Sequence, residues 1–305
     1  MDYAEARTAF FQPRSGTAPG PGTGDWTSPG RSLRDAIEPI ATVCFWSEPA
    51  YDAYAAKGLD FLAGYVWGRA SVLGEPEAPV VASAFGVFEP ELIASLYDAG
   101  RQVCSLTDVR AAKESGAVAA LRHVLGHLDT VTDVEPVVAV LRRAAAAASP
   151  TGRPLHSGWT ALPWPADPLG QLWHACSILR EHRGDGHVAA YVSAGLSGLE
   201  ANLLTEALVG WEPLSYTGSR GWSPEAMQEA TAALAERGLL ADGALTPAGQ
   251  TLRDEVERTT DRLVAPAVRA AGPELGEAVA RLNEWSRLIT EAGWFPPDPY
   301  KRVSG

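Results

Sequence analysis

Residues 167–200 read DPLGQLWHACSILREHRGDGHVAAYVSAGLSGLE, and this stretch decides the fold because apolar helical runs flank one dense polar patch. In its first half, apolar residues recur at spacings of three and four, which predicts an amphipathic helix whose apolar stripe packs inward. Pro168 suits the first turn of that helix. The same helical spacing places His174 and Glu181 on the opposite, outer face.

The polar patch runs from Arg180 to His187 and holds six ionisable groups and two glycines. Its Gly-Asp-Gly sequence predicts that the first helix ends at Gly184, since glycine often follows a helix and Asp often begins one. We expect a tight turn that brings His187 back beside His182. Two interpretations are open: an ion-paired corner between two helices, or a ligand-binding or acid–base cluster.

In the functional interpretation the patch supplies both catalytic and binding groups. His187 or His182 is the general base, and Asp185 is the carboxylate that orients it. Arg183 anchors an anionic group of the substrate through its planar guanidinium. His174 and Trp173, earlier in the same helix, are further candidates for substrate contact.

A second set of substrate-binding candidates lies on a predicted helix over residues 59–73. Tyr65, Trp67 and Arg69 stand beside Gly64 and Gly68. Glycines four residues apart on one helix face permit close approach, either by a neighbouring helix or by a ligand. Ten tryptophans in the chain are compatible with rigid pocket walls as well as with an ordinary core.

Length and composition restrict the class of protein. The 305 residues are 46% hydrophobic and carry a formal net charge of −12, which predicts two domains and repulsion from nucleic acid and anionic membranes. The three cysteines are dispersed in apolar runs, as in a reducing cytoplasm. We find no signal peptide and no membrane span, so we expect a cytoplasmic protein.

The distribution of proline and glycine predicts the domain boundaries. Residues 1–31 form a flexible tail, and a capping box at Ser32 begins an N-terminal helical domain over residues 32–148. A proline-rich linker follows at residues 149–168. Residues 169–305 form a C-terminal helical domain, so the predicted class is all-α with two helical lobes.

Neither a metal nor another cofactor is expected. His123 and His127 have the i, i+4 spacing of a metal pair, but no carboxylate or cysteine stands at a matching spacing. The chain has no phosphate-cradling glycine loop, no Cys-x-x-Cys pair and no Gly-x-Ser-x-Gly elbow.

Local signals in the second half predict a winged-helix-like unit at about residues 197–270. A capping box at Ser197 opens a helix, and Ser223-Pro224 opens a second one. The turn Asp242-Gly243 predicts a two-stranded wing, and Thr246-Pro247 begins a long closing helix. The stretch ERGLLADGALTPAG resembles the recognition-helix end, wing and closing helix of MarR-type regulators.

Beyond that motif, LPWPADPLGQLWHACSILREHRGDGHVAAYVSAGL and RGLLADGALTPAG resemble a family of uncharacterised actinobacterial proteins with a helix-turn-helix domain. The similarity spans about residues 33–270. It implies an all-helical protein with a winged-helix half and no settled activity. It also implies that relatives often carry histidine where this chain has Ala41 and Glu89, which weakens any metal site carried over from them.

The predicted recognition helix argues against nucleic acid as a partner. Duplex binding requires Lys and Arg to neutralise phosphates, but residues 224–238 are acidic and the wing has no basic residue. Residues 210–223 leave little room for the usual middle helix and contain aromatic residues and Arg220 instead.

The leading hypothesis is therefore a protein that binds a small organic molecule between two lobes, with enzymatic activity in bacterial specialised metabolism left open. One alternative is a ligand-responsive winged-helix transcription regulator. Another is a structural homodimer without a ligand.

Overall fold

In the computed structural model, which describes residues 1–10 and 27–296, the chain folds into helices and one short β-hairpin. This confirms the mainly α-helical class. The helices are α1 (Tyr3–Phe10), α2 (Pro29–Trp46), α3 (Glu48–Ala55), α4 (Phe61–Ala70), α5 (Ala78–Phe85), α6 (Pro90–Val103), α7 (Leu106–Leu125), α8 (Glu135–Ala146), α9 (Pro154–Ala161), α10 (Pro168–Ser193), α11 (Gly198–Val209), α12 (Ser215–Gly218), α13 (Pro224–Glu236), α14 (Pro247–Ala270) and α15 (Leu275–Glu291), and the strands are β1 (Leu240–Ala241) and β2 (Ala244–Leu245).

The central element is α10, which packs against α2, α7, α8, α9 and α14. The predicted helix end at Gly184 is wrong, because α10 continues without interruption to Ser193. Neither Gly184 nor Gly186 has the positive φ of a glycine cap. Packing on all sides of the helix outweighs the weak helix propensity of two glycines. The predicted outer positions of His174 and Glu181 are also wrong, since each is only 2% exposed.

One large core joins residues on both sides of the predicted linker. It includes apolar side chains of α2, α7, α8, α10 and α15, so the predicted domains 32–148 and 169–305 share it. The linker region, residues 149–168, contains α9, whose Leu155 and Trp159 are buried in the same core. The proline-rich composition gave no signal of this burial.

The predicted flexible tail, residues 1–31, lies in part outside the described residues. Within it, α1 packs on the body of the protein: the Tyr3 hydroxyl donates to the Trp46 carbonyl oxygen at 2.9 Å, and the rings of Phe10 and Phe61 stack at 6.0 Å. The capping box at Ser32 is wrong. The N-cap of α2 is Ser28, whose side chain accepts from the Arg31 backbone N–H.

Residues 197–270, called the C-terminal unit below, follow the predicted order of helix, helix, hairpin and helix. Ser197 forms the predicted capping box with Glu200. The two strands pair antiparallel, with Leu240 opposite Leu245. Residues 210–223 were expected to leave little room for a middle helix, and the helix in this region, α12, is only four residues long.

In the described part of the chain, no helix has the length and apolar character needed to cross a bilayer.

The continuity of α10 predicts how its glycines respond to alanine. We expect Gly184→Ala and Gly186→Ala each to raise the free energy of unfolding by roughly 0.5–1 kcal/mol, because alanine loses less backbone entropy in a helix. The added Cβ has room: its nearest neighbours are Glu181 Oε2 at 3.6 Å for residue 184 and an Arg153 guanidinium nitrogen at 3.6 Å for residue 186. Urea denaturation measures the change.

The matched control is Gly195→Ala, just beyond the end of α10. No atom lies within 4 Å of its added Cβ, but its φ is +74°, so we expect a loss of stability from backbone strain alone. A loss at Gly184→Ala like that at Gly195→Ala would show that residue 184 occupies a turn.

Candidate functional site: a cavity lined by arginine and aromatic residues

A cavity lies where α2, α4 and α10 meet the C-terminal unit. It consists of two chambers of about 110 and 100 Å³, and these adjoin because six lining residues are common to both. The common residues are Arg34, Glu38, Tyr65, Phe88, Arg180 and Arg220.

The first chamber has mainly aromatic walls. Tyr65 meets Phe45 edge to face at 5.1 Å between ring centroids, and its ring lies 5.9 Å from that of Phe88. Trp46 and Phe61 complete one side. Rings packed in this way form a rigid apolar surface suited to a flat ligand.

A buried ion network forms the wall between α2, α4 and α10. The Arg180 guanidinium donates to both carboxylate oxygens of Glu38, at 3.1 and 3.0 Å, and to Glu181 at 2.7 Å. Arg69 donates to both oxygens of Glu181, at 3.1 and 3.0 Å. Burial raises the pKa of Glu181, but the charges of Arg69 and Arg180 outweigh it and lower the value to about 2. The carboxylate therefore stays ionised and holds both arginines.

The second chamber is lined along α10 by Arg180, Arg183, Gly184, His187 and Tyr191, with Asp185 also at its edge. Arg183, the predicted substrate anchor, lines it, and its guanidinium donates to Glu257 at 2.8 Å. Its Nε is buried without a hydrogen-bond partner.

His187 lines the second chamber, and a hydrogen bond to its Nδ1 fixes the orientation of the ring. Its Nδ1 lies 3.1 Å from the Thr260 hydroxyl oxygen, and that hydroxyl donates to the Val256 carbonyl oxygen at 2.8 Å. Nδ1 must therefore carry the proton, which leaves a lone pair on Nε2. Burial lowers the pKa of His187 to about 3, so the ring is neutral at neutral pH.

The predicted pairing of Asp185 with His187 is wrong. Residues two apart on a helix point in nearly opposite directions, and the continuous α10 keeps them apart. Asp185 instead accepts the backbone N–H of His156, in the first turn of α9, at 2.9 Å. The residue that orients His187 is Thr260, which sequence analysis did not single out.

Four other candidates are placed in the core rather than at the cavity. His182 packs its ring against His156 at 4.8 Å, and His174 lies against Trp164 at 4.8 Å. Burial lowers their pKa values to about 3 and about 4, respectively. The indole N–H groups of Trp173 and Trp67 donate to backbone carbonyls of Ala41 and Cys104. Their apolar surfaces are used in packing.

Tyr65 and Arg69 do line the cavity, but the glycines beside them face elsewhere. A Cβ on Gly64 would lie 3.0 Å from the Tyr54 ring, and one on Gly68 would overlap the Tyr54 hydroxyl. The glycines therefore permit α3 to approach α4, which decides for the packing alternative.

The candidate metal pair is exposed and lies across a helix end. His123 is on α7, whereas His127 follows the last helical residue, Leu125. Within residues 1–10 and 27–296, no three His, Cys, Asp or Glu side chains are grouped to hold a metal ion.

Arg220 enters the cavity from the shortened region after α11. Its guanidinium lies over the Phe88 ring at 4.9 Å and over the Tyr216 ring at 4.4 Å, and it donates to the Tyr216 hydroxyl at 2.8 Å. Its Nε is buried and has no hydrogen-bond partner. The backbone oxygen of Arg220 accepts from the Glu89 N–H, which ties this region to the N-terminal helices.

Sequence reasoning also missed Arg34 and Glu38, two charged residues four apart on α2 that are themselves buried. A charged stripe on an apolar helix was a usable signal for a polar cavity.

In comparison with known protein families, residues 30–296 match the model of a helix-turn-helix family. No curated protein and no solved structure matches the chain.

The Asp185 carboxyl group predicts a pH dependence of stability. Burial raises its pKa from 3.8 to about 7, partly opposed by the His156 backbone N–H. Because the folded-state pKa lies above the unfolded one, the stabilising contribution is complete below pH 3.8 and is lost as the pH rises to about 7. The variant Asp185→Asn keeps an oxygen acceptor at this position but has no carboxyl group to titrate.

We therefore expect wild type to lose stability relative to Asp185→Asn across that pH interval, measured by urea denaturation of both proteins. The histidines with lowered pKa values titrate in both proteins, so their effect cancels in the difference. A difference that stays constant with pH would contradict the buried, proton-binding carboxyl group.

Proposed function

Since the chain belongs to this helix-turn-helix family, we propose that it binds a small organic molecule in the cavity between its N-terminal helices and its C-terminal unit. The observation that carries this proposal is the region of α12. A helix-turn-helix has its middle helix there, whereas this chain has the four-residue α12, and Tyr216 within it and Arg220 just after it line the cavity.

Gly184 supports the same proposal. A glycine inside a long helix lowers stability by about 1 kcal/mol relative to alanine, so a packing or functional reason is expected. Packing gives none at this position, because only one oxygen atom lies within 4 Å of the position of a Cβ. The missing side chain keeps space open in the second chamber.

Surface charge argues against DNA as the main partner. The outer face of α13 exposes Glu225, Glu229 and Glu236, and the hairpin turn exposes Asp242. Arg237, at the end of α13, is engaged with Glu200 at 2.7 Å. Phosphates approaching this surface meet negative charge.

The second candidate is a ligand-responsive transcription regulator, which membership in a helix-turn-helix family favours. In that case the molecule in the cavity would bias the position of α12 and α13 through Tyr216 and Arg220. An enzymatic role is a further form of the first proposal, with His187 as the base. The homodimer and the cytoplasmic location stay predictions.

A substitution that fills the cavity tests whether the cavity binds a ligand. We expect Gly184→Leu to weaken binding of any cavity ligand by at least about tenfold, since the leucine side chain occupies the second chamber. The ligand search is a thermal-shift screen of neutral, anionic and cationic single-ring compounds, with calorimetric titration of each hit. Gly186→Ala, on the same helix but away from the cavity, is the matched control. Hits that bind Gly184→Leu and wild type equally, or a screen without hits, would contradict the proposal.

The nucleic-acid alternative has its own test. At about 50 mM salt, where non-specific binders normally associate, we expect no salt-sensitive binding to random duplex DNA. An electrophoretic shift at micromolar protein that weakens with added salt would favour the regulator instead. The charge-reversed variant with Glu225→Lys and Glu229→Lys is the positive control, because it supplies basic groups on α13.

A further inference from the structure

One arginine that lines the cavity, Arg220, has a positive charge without a carboxylate partner among the described residues. Each of the other four arginines that line it has a carboxylate partner: Arg34 pairs with Asp35, Arg69 with Glu181, Arg180 with Glu38 and Arg183 with Glu257. Within the described residues, Arg220 has no carboxylate within ion-pair distance, and its Nε lacks a partner. A partly buried guanidinium in this state attracts one negative charge.

The geometry of Arg220 selects a planar anion. Its guanidinium lies over two rings, Phe88 and Tyr216, which limits its orientation. Nη2 donates one hydrogen to the Tyr216 hydroxyl, so Nε–H and the second hydrogen of Nη2, which lie on the same edge of the guanidinium, are the groups left to face an acceptor. Two adjacent N–H groups in a fixed fork match the two oxygens of a carboxylate.

The aromatic walls and the volume of the cavity restrict the size and chemical character of the ligand. Phe45, Tyr65 and Phe88 present ring faces and edges to the first chamber. A cavity of about 150 Å³ holds benzene. The two chambers, at about 110 and 100 Å³, therefore have room for one substituted aromatic ring and little more.

His187 selects a second polar group on that ring. Thr260 fixes the proton on Nδ1, so Nε2 accepts a hydrogen bond and cannot donate one in the neutral ring. His187 and Arg220 line the same chamber. A ligand held by Arg220 that carries a hydroxyl group can donate it to Nε2, whereas a ligand without one leaves the acceptor unpaired.

Building on the small-molecule function proposed above, we propose that the ligand is a single-ring aromatic monocarboxylate with a hydroxyl group, its carboxylate on Arg220 and its hydroxyl donating to His187. Thr260 is the positioning residue that sets the acceptor. Among the described residues that line the cavity, only Arg220 has both a charge without a carboxylate partner and a side-chain N–H without a hydrogen-bond partner.

The test uses the three hydroxybenzoate isomers as probes and calorimetric titration at pH 7.5. For the best isomer we expect affinity about tenfold to a hundredfold above that of the matching hydroxybenzamide, which lacks the charge, and about tenfold above that of benzoate, which lacks the donor. Both comparisons use wild type only, so they do not depend on the folding of a variant.

Variants then assign the two contacts. Arg220→Gln should bring acid and amide to equal affinity, whereas Arg237→Gln, an exposed arginine of the same unit, should leave the ratio unchanged. Arg220→Lys keeps the charge but lacks the two-pronged guanidinium, so its ratio of acid to amide affinity should lie between those of wild type and Arg220→Gln. Thr260→Val should reduce the preference for hydroxybenzoate over benzoate and leave the acid-to-amide ratio intact, a split that a merely structural loss would not produce.

The outcomes separate this inference from the function it builds on. If amide and acid bind wild type equally, and Gly184→Leu blocks both, the cavity binds small molecules but the acid class is wrong. If the acid preference persists in Arg220→Gln, the assignment of the charge is wrong. If no hydroxybenzoate binds while other screened compounds do, the ligand class is overturned and the cavity function stands. If no compound binds at all, both fail.

Discussion

The structure depends on the buried ion pairs that Arg180 and Arg69 form with Glu38 and Glu181. They join α2, α4 and α10, and the side chain of Glu181 is only 3% exposed. Removal of one partner from such a network leaves an unpaired buried charge and costs about 3–5 kcal/mol. The network therefore holds the three helices in one relative position, and the shape of the cavity wall follows from it.

The second constraint is the continuity of α10 through two glycines. An unbroken helix places Arg180, Gly184, His187 and Tyr191 at i, i+4, i+7 and i+11, on the face that lines the second chamber. The same periodicity turns Asp185 toward α9. A turn at Gly184 would have brought the ionisable groups together in one cluster. In the continuous helix they point in different directions and contact different elements.

The C-terminal unit forms one wall of the cavity. Its element order is that of a helix-turn-helix protein, but the surface that would face DNA is acidic, and its shortened middle helix contributes to a cavity wall. The Val87 carbonyl oxygen accepts hydrogen bonds from Asn202 and Trp222, so the loop after α5 is fixed to this unit as well. A helix-turn-helix order of elements is thus compatible with a cavity at the side of the unit.

The sequence by itself determined the features that depend on neighbouring residues. The helical class, the capping box at Ser197 and the hairpin around Asp242 follow from spacing and turn chemistry within a few positions. Of the predicted site residues in the HRGDGH patch, Arg183, Asp185 and His187 line the cavity, and their catalytic and binding roles stay predictions.

Only the tertiary structure decided how those residues are used. Glu38, Thr260 and Arg220 reach the site from positions far apart in the chain, and no local pattern encodes such distances. Burial on every side of α10 also outweighed the glycine signal for a turn, because packing contributes more to a helix than the propensity of two residues.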